Sequence, residues 1–259
     1  MSSQELRPMG IGDILDTTFR MYRKNFVTFL LIALIVYVPY TIVIAGIQIV
    51  QPPVVVQQTS AFDLDGGHPQ TPQIQPASLF AVALGGLLFG IVLIPLCTAA
   101  LTHNISASYL GRALSAGESY SLAAPRLLSL IGTQILVGIV VLIGYVLLIV
   151  PGVIFTLWFA IIAPIVVLER SGGAGAMRRS RELMRGNIGK AFVLLLVLGI
   201  LNLILNAVIG FVTNMVPWPH ESFKAVMENL LSVFWLPIQT APFVLLYYDL
   251  RIRKEAFDL

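Results

Sequence analysis

Charged residues are scarce in this chain of 259 residues. Asp, Glu, Lys and Arg make up 11% of it, whereas hydrophobic residues make up 57%. Soluble domains are about one-quarter charged, because charged side chains cover their wet surface. A chain with less than half of that share has to present apolar surface to lipid. The composition therefore excludes a soluble fold and predicts an integral membrane protein.

Cysteine and clustered histidine are also lacking. Cys97 is the only cysteine, which excludes an intrachain disulfide and a pair of thiolate ligands. His68, His103 and His220 fall in separate segments, and His103 is expected on the opposite side of the membrane from the other two. No H-E-x-x-H, G-x-S-x-G or phosphate-loop motif occurs. We therefore predict no catalytic residues, no metal, no cofactor and no enzymatic activity.

One pair of short motifs does match a catalytic family. Gly10–Asp13 and Tyr248–Asp249 match, letter by letter, the motifs of presenilin-like intramembrane aspartyl proteases. Both motifs lie at the predicted membrane edge, and their order along the chain is reversed. These two departures favour a coincidental match.

Long apolar runs predict six transmembrane helices. A helix crosses the bilayer core with about 20 apolar residues, since each residue adds about 1.5 Å. Pro151 and Gly152 divide the longest run, so a tight turn is predicted there. The predicted spans are 26–49, 79–101, 127–149, 153–168, 191–212 and 226–248. They make 26–259 a six-span domain, preceded at 1–25 by a cytoplasmic tail and an interfacial helix.

The distribution of basic residues supports six spans. Every Lys and Arg except Lys224 falls in the amino end, the second and fourth loops or the carboxyl end, which share one side of a six-span protein. The rule that cytoplasmic loops are basic then predicts a multi-pass cell-membrane protein with both termini cytoplasmic. The loop 51–77 has no Lys or Arg and is predicted to be extracytoplasmic. Because the net charge of +3 lies beside apolar runs, we expect no nucleic-acid partner.

Three amphipathic elements are predicted on the cytoplasmic side. Residues 11–24 have helical apolar spacing, and Ser115 with Glu118 matches a capping box for a short helix. A basic helix at 174–186 ends at Gly186. Its arginines are Arg178, Arg179, Arg181 and Arg185. Two readings stay open for them: they bind anionic lipid headgroups, or they only fix orientation.

Polar and small residues within the spans are the remaining site candidates. Asn202, Asn206 and Gln239 are expected to hydrogen-bond between helices, as are Thr133 and Gln134; lining a substrate path is the alternative. In the second span, Gly86 and Gly90 form a small-xxx-small pair that favours close packing of another helix.

A weak internal repeat is also visible. The segment 163–170, which begins Ala-Pro and ends Glu-Arg, is similar to 241–251, and Pro95 stands at a comparable place in the second span. Three related hairpins of spans are one interpretation. Amphipathic helices that recur only for reasons of topology are the other.

The chain resembles a known family. The runs 12–26, 150–158 and 175–187 resemble the membrane domain found beside glycerophosphoryl diester phosphodiesterases and its stand-alone prokaryotic relatives. The resemblance implies a membrane domain without the soluble catalytic barrel, so no catalytic residue carries over. Two functions remain: a non-catalytic accessory or lipid-interacting protein, or a small permease of lipid or amphiphilic substrates. The expected partners are membrane lipids and a protein partner or second copy.

Overall fold

The computed structural model describes residues 8–50, 76–218 and 221–255, and all regular structure in these ranges is helical. The helices are α1 Ile11–Lys24, α2 Phe26–Val50, α3 Pro76–Leu88, α4 Ile94–Tyr109, α5 Ala116–Ala123, α6 Leu127–Leu147, α7 Ile149–Trp158, α8 Ile162–Leu168, α9 Gly173–Met184, α10 Ile188–Met215, α11 Glu221–Ser232 and α12 Trp235–Glu255. The amino-terminal tail at 1–7 and nearly all of the predicted loop 51–77 lie outside the described residues.

Six helical segments are long and apolar enough to cross a membrane, which confirms the predicted all-α polytopic class. The first span is α2 and the fifth is α10. A π-helical turn at Phe89–Leu93 joins α3 and α4 into the second span. The third span is α6, the fourth is α7 with α8, and the sixth is α11 with α12. The fourth and sixth spans were predicted as single helices, and each is instead divided in two.

The turn between the third and fourth spans lies three residues earlier than predicted. Leu148 has extended backbone angles and separates α6 from α7. Pro151 and Gly152 belong to the first turn of α7, where proline is tolerated because the first N–H groups of a helix have no partner anyway. Gly152 has a packing role instead, since a Cβ added there would lie 2.4 Å from the ring of Tyr145 on α6.

The predicted amphipathic elements form at one end of the bundle. Helix α1 buries Ile14, Thr18 and Met21. The predicted capping box closes α5, because the Ser115 N–H donates to the Glu118 carboxylate (2.8 Å) and the Glu118 N–H donates to the Ser115 hydroxyl (3.2 Å). Beyond α9, Gly186 takes a left-handed conformation (φ 84°), as a residue following a helix end often does.

The core lies around α2, α4, α8 and α12. Its largest fully buried side chains include Phe29, Leu101, Ile165 and Tyr247. Helix α10 is peripheral and exposes apolar side chains such as Leu203 and Phe211. Exposed apolar surface of this kind suits a helix that faces lipid, because the bilayer core offers no hydrogen-bonding partner to a polar side chain.

Candidate functional site

Prolines interrupt the second span of each predicted hairpin. Pro95 follows the π-helical turn, Pro164 stands in the first turn of α8, and Pro237 stands in the first turn of α12. A proline has no N–H to give to the carbonyl four residues earlier. Those carbonyls belong to residues 91, 160 and 233, and each of the three positions falls inside an interruption. Each interruption therefore coincides with a carbonyl that a proline leaves without its helical N–H, whereas Pro39 and Pro242 stand inside α2 and α12 without interrupting them.

A cavity of about 380 Å³ lies between the three interrupted spans. Its walls also include residues from α2 and α6, and it is partly open. The residues that line it are Tyr37, Ile94, Thr98, Thr102, Gln134, Ala160, Ala163, Pro164, Trp235, Leu236, Gln239, Thr240 and Phe243. Pro164 and Ala160, whose carbonyl lacks a donor because of Pro164, are therefore both part of the wall.

The wall is polar but uncharged. None of the described residues that line the cavity is Asp, Glu, Lys, Arg or His. Thr102 donates its hydroxyl proton to the Thr98 carbonyl (2.7 Å), and Thr240 donates to the Leu236 carbonyl (2.7 Å). Thr102 is fully buried, so only the Thr240 oxygen, on a side chain that is 7% exposed, keeps a lone pair that a molecule in the cavity can reach.

Two amides in the wall lack protein partners. Within the described ranges, the Gln134 and Gln239 side chains make no hydrogen bond. Gln134 is half-buried and Gln239 is exposed, so both amides are accessible to a molecule that enters the cavity. Such a molecule can pair with their N–H donors and carbonyl acceptors. The two amides are therefore the best-placed groups for recognition.

The two amides of the cavity wall lie at different distances from the charged end of the bundle. Gln134 is seven residues into α6 from Leu127, or about 10 Å along the helix, and Gln239 is ten residues before Asp249, or about 15 Å. A bilayer core is about 30 Å thick. Measured from the charged end, Gln134 therefore falls within the nearer half of such a core and Gln239 falls close to its midplane.

A buried ion cluster joins three helices at that charged end. The Asp249 carboxylate, fully buried on α12, is ion-paired with Lys190 of α10 and with Arg253 (3.0 Å). It also accepts a hydrogen bond from the Met9 backbone N–H (2.6 Å), just before α1. Both cations in addition donate to the Met9 carbonyl. This cluster docks the amino-terminal segment onto the ends of α10 and α12.

A second network ties α9 to α8 and α12. Arg179 is ion-paired with Glu169 (3.0 Å) and with Glu255, and Arg251 is ion-paired with Glu255 (3.1 Å). The Tyr247 hydroxyl donates to Glu169 (3.0 Å). Hydrogen bonding to Glu169 is the main cause that raises the pKa of Arg179. Arg179 therefore stays charged, as arginines in proteins do.

The four arginines of the basic helix do not form one surface. Arg179 points into the network just described. The guanidinium of Arg181 lies 4.4 Å from the ring centre of Trp158, and Arg178 makes an exposed pair with Glu182 (3.8 Å). Arg185 is exposed and has no ion pair with any residue that the structure describes. Arg178, Arg181 and Arg185 remain accessible to a headgroup.

The predicted intramembrane polar residues separate into two groups. Gln239 lines the cavity, but Asn202 and Asn206 do not. The Asn206 side chain donates to the Asn202 carbonyl (2.8 Å) and to its side-chain oxygen (3.1 Å), all within α10. The expectation of hydrogen bonds between helices is therefore wrong for this pair. Asn202 lies one turn before Asn206 on the same helix, so it is a nearer partner than a residue of a neighbouring helix.

The predicted glycine pair makes no helix contact in the described part of the chain. A Cβ added at Gly86 or Gly90 would meet no atom within 4 Å. Close packing occurs instead at Gly144 and Gly152, where a Cβ added at Gly144 would lie 3.0 Å from the Gly152 Cα. Their small size lets α6 and α7 approach each other directly after the turn.

The aspartates of the two protease-like motifs have separate partners. Asp13 accepts a hydrogen bond from the Gly10 N–H (2.9 Å) and caps its own helix. Asp249 is occupied by the cations of the buried cluster and by the Met9 N–H. The two motifs lie near each other because the segment that precedes α1 docks onto α12.

Sequence reasoning found Gln239 and named Gln134, but it missed the rest of the cavity. Thr98, Trp235 and Phe243 lie among similar residues in apolar runs and carry no signal of their own. The available signal was the spacing of Pro95, Pro164 and Pro237 within the spans.

Comparison with known proteins gives one partial match. A family model described as a domain of unknown function (DUF8558) matches residues 119–246. This region begins in α5 and ends in α12, so it includes Gln134, Gln239 and the interrupted fourth and sixth spans. No curated protein and no solved structure matches the chain.

Proposed function

We propose that this protein is a non-catalytic membrane protein that binds an amphiphilic molecule in the cavity, as a small permease or lipid-handling protein does. The cavity between three interrupted helices is the observation that carries the proposal. Transporters commonly bind substrates beside broken helices, because irregular backbone is tolerated at membrane depth where it lines a cavity. The amides of Gln134 and Gln239, which have no protein partner among the described residues, supply recognition groups on the cavity wall.

The proposed location is the cell membrane, with both termini cytoplasmic. The two ion networks gather basic residues from the fourth loop, the start of α10 and the carboxyl end at one end of the bundle, where the Met9 backbone of the amino-terminal segment also docks. Basic residues accumulate on the cytoplasmic side of membrane proteins. In this orientation Gln134 lies on the inner-leaflet side of the midplane and Gln239 lies close to the midplane.

A second candidate function is an accessory membrane domain that docks on lipid headgroups. The exposed arginines Arg178, Arg181 and Arg185 on α9 favour it, because each basic residue near an anionic surface contributes about 1 kcal/mol. Kinship with the membrane domain of glycerophosphoryl diester phosphodiesterases is proposed on the resemblance alone. It is compatible with either candidate, since both concern lipids.

Filling the cavity tests the leading proposal. Ala163 lines the cavity and Ala207 faces outward on α10, so Ala163→Phe adds a ring inside the site and Ala207→Phe adds the same ring outside it. Native mass spectrometry of protein extracted gently from its membrane should detect an amphiphile on the wild type and on A207F. The same signal should be lost from A163F.

The opposite result has a clear meaning. Equal retention by A163F and A207F, or no retained amphiphile on the wild type, would overturn binding in the cavity. If the retained lipid is instead lost when Arg178, Arg181 and Arg185 are replaced by Gln, the accessory function takes its place.

A further inference from the structure

We infer that the cavity binds an amphiphile whose head group is uncharged and carries hydroxyl groups, and this inference rests on the proposed function. Its starting point is the absence of charge in the wall. A phosphate or ammonium group at this depth would need a counter-charge, because an isolated ion in a low-dielectric site is strongly disfavoured. The described lining residues provide none.

The carboxylates of Glu169 and Asp249, at the charged ends of the fourth and sixth spans, are already paired with cations. Glu169 lies five residues beyond Pro164 and is held by Arg179 and by the Tyr247 hydroxyl. Asp249 lies further along α12 than Gln239 and is held by two cations. Recruiting either carboxylate to a cationic head group would break a partly buried ion pair and leave its partner as an uncompensated charge, which is unfavourable. The same reasoning applies to recruiting their cations to an anionic head group.

The hydrogen-bonding groups of the wall match hydroxyls. Each glutamine amide offers two N–H donors and a carbonyl acceptor, and the accessible Thr240 oxygen offers an acceptor only. A hydroxyl both donates and accepts, so neighbouring hydroxyls can pair with the Thr240 oxygen and with either end of an amide. A carboxylate or phosphate only accepts, and it would leave the Thr240 oxygen and the amide carbonyls without donors.

The remaining wall is aromatic and aliphatic. Tyr37, Trp235 and Phe243 present rings at the cavity, and Ile94 and Leu236 add apolar surface. Such surface packs against the carbon skeleton of a polyol and the first methylenes of an acyl or alkyl chain. A volume of about 380 Å³ lies near the lower end of the range of small-molecule pockets. It therefore fits a head group with the start of its chain, while the rest of the chain reaches lipid through the open part.

A titration with three probes of one chain length tests the inference. The protein is placed in nanodiscs of a zwitterionic lipid, with Trp158→Phe and Trp218→Phe so that Trp235 is the only tryptophan and reports on the cavity. The probes are monolauroylglycerol (uncharged), lauroyl lysophosphatidic acid (anionic) and dodecyltrimethylammonium (cationic). We expect a saturable change in Trp235 emission, with the uncharged probe binding at least about tenfold more tightly than either ion.

Variants of the two amides separate recognition from partition into the bilayer. Gln134→Leu and Gln239→Leu should each weaken binding of the uncharged probe by about tenfold, whereas Asn206→Leu, on the outer face of α10, should not. Gln239→Glu adds a charge without changing size and should shift preference toward the cationic probe. If Q239L fails to fold, Gln239→Asn, which keeps the amide, is measured in its place.

The outcomes distinguish the inference from the proposed function. If a charged probe binds as tightly as the uncharged one and Ala163→Phe abolishes that binding, the cavity binds amphiphiles but the uncharged class is wrong. Ala163→Phe is also introduced into the protein whose only tryptophan is Trp235. If this change leaves the titrations with all three probes unaltered, both the inference and the proposed function are wrong.

Discussion

Loss of the negative charge of Asp249 should destabilise the bundle more than loss of any exposed carboxylate. The Asp249 side chain is fully buried, and Lys190, its partner on α10, is only 12% exposed. Asp249→Asn keeps the shape and an acceptor for the Met9 N–H but leaves two cations without their counter-ion. Breaking one side of a buried ion pair is unfavourable by about 3–5 kcal/mol, and we expect the lower end because the amide retains hydrogen bonds.

The single cysteine provides the assay. Cys97 is fully buried on α4, so a thiol-reactive dye reports unfolding at one known position. A loss of about 3 kcal/mol corresponds to a fall of roughly 6–12 °C in the melting temperature of a protein of this size. The matched control is Asp16→Asn, which removes an exposed pair with Arg20 on α1 and should change the melting temperature little.

A double variant decides whether the charge pair is the cause. Lys190→Met removes the unpaired cation, so D249N with K190M should lose less stability than the sum of the two single variants. Equal destabilisation by D249N and D16N would refute the reasoning. Strict additivity in the double variant would refute it as well, because then the two side chains do not act on each other.

Three further perturbations test particular contacts. Pro164→Ala returns an N–H to the carbonyl four residues earlier, so the fourth span should straighten, and native mass spectrometry should find the amphiphile lost without a lower melting temperature. Gly152→Ala places a methyl group against the ring of Tyr145 and should destabilise the protein by about 1–3 kcal/mol in the dye assay; an unchanged melting temperature would contradict the close packing. Arg179→Gln should lower the melting temperature, whereas Arg185→Gln should leave it unchanged and affect only binding to vesicles that contain anionic lipid.

The number and order of the spans could be predicted because two independent signals agree. Apolar runs set the lengths of the helices, and the basic residues, apart from Lys224, all fall in segments that share one side only when there are six spans. The capping box of Ser115 and Glu118 was equally visible, since it depends on residues three apart. These features are local or repetitive, and both kinds are present in the sequence itself.

The cavity and the buried cluster could not be predicted because they depend on distant pairings. Lys190 and Asp249 are 59 residues apart, and Met9 is a further 181 residues before Lys190. Mean hydropathy also describes the fourth span as one apolar run, because the missing N–H of Pro164 does not change the mean hydropathy of the segment. Asn202 and Asn206 are a different case, because they are four residues apart and their pairing within α10 is a local contact that their spacing in the sequence already allowed.

The three interruptions favour a common origin for the three hairpins. The segments 163–170 and 241–251 are similar in sequence, yet the proline that interrupts the sixth span is Pro237 rather than Pro242, the proline that such an alignment pairs with Pro164. Each interrupting proline nevertheless lies in the first turn of the helix that continues toward the charged end. Repeats that pack around one axis bring equivalent positions together. Three equivalent interruptions would then converge at one depth, and the cavity lies where the interrupted second, fourth and sixth spans meet.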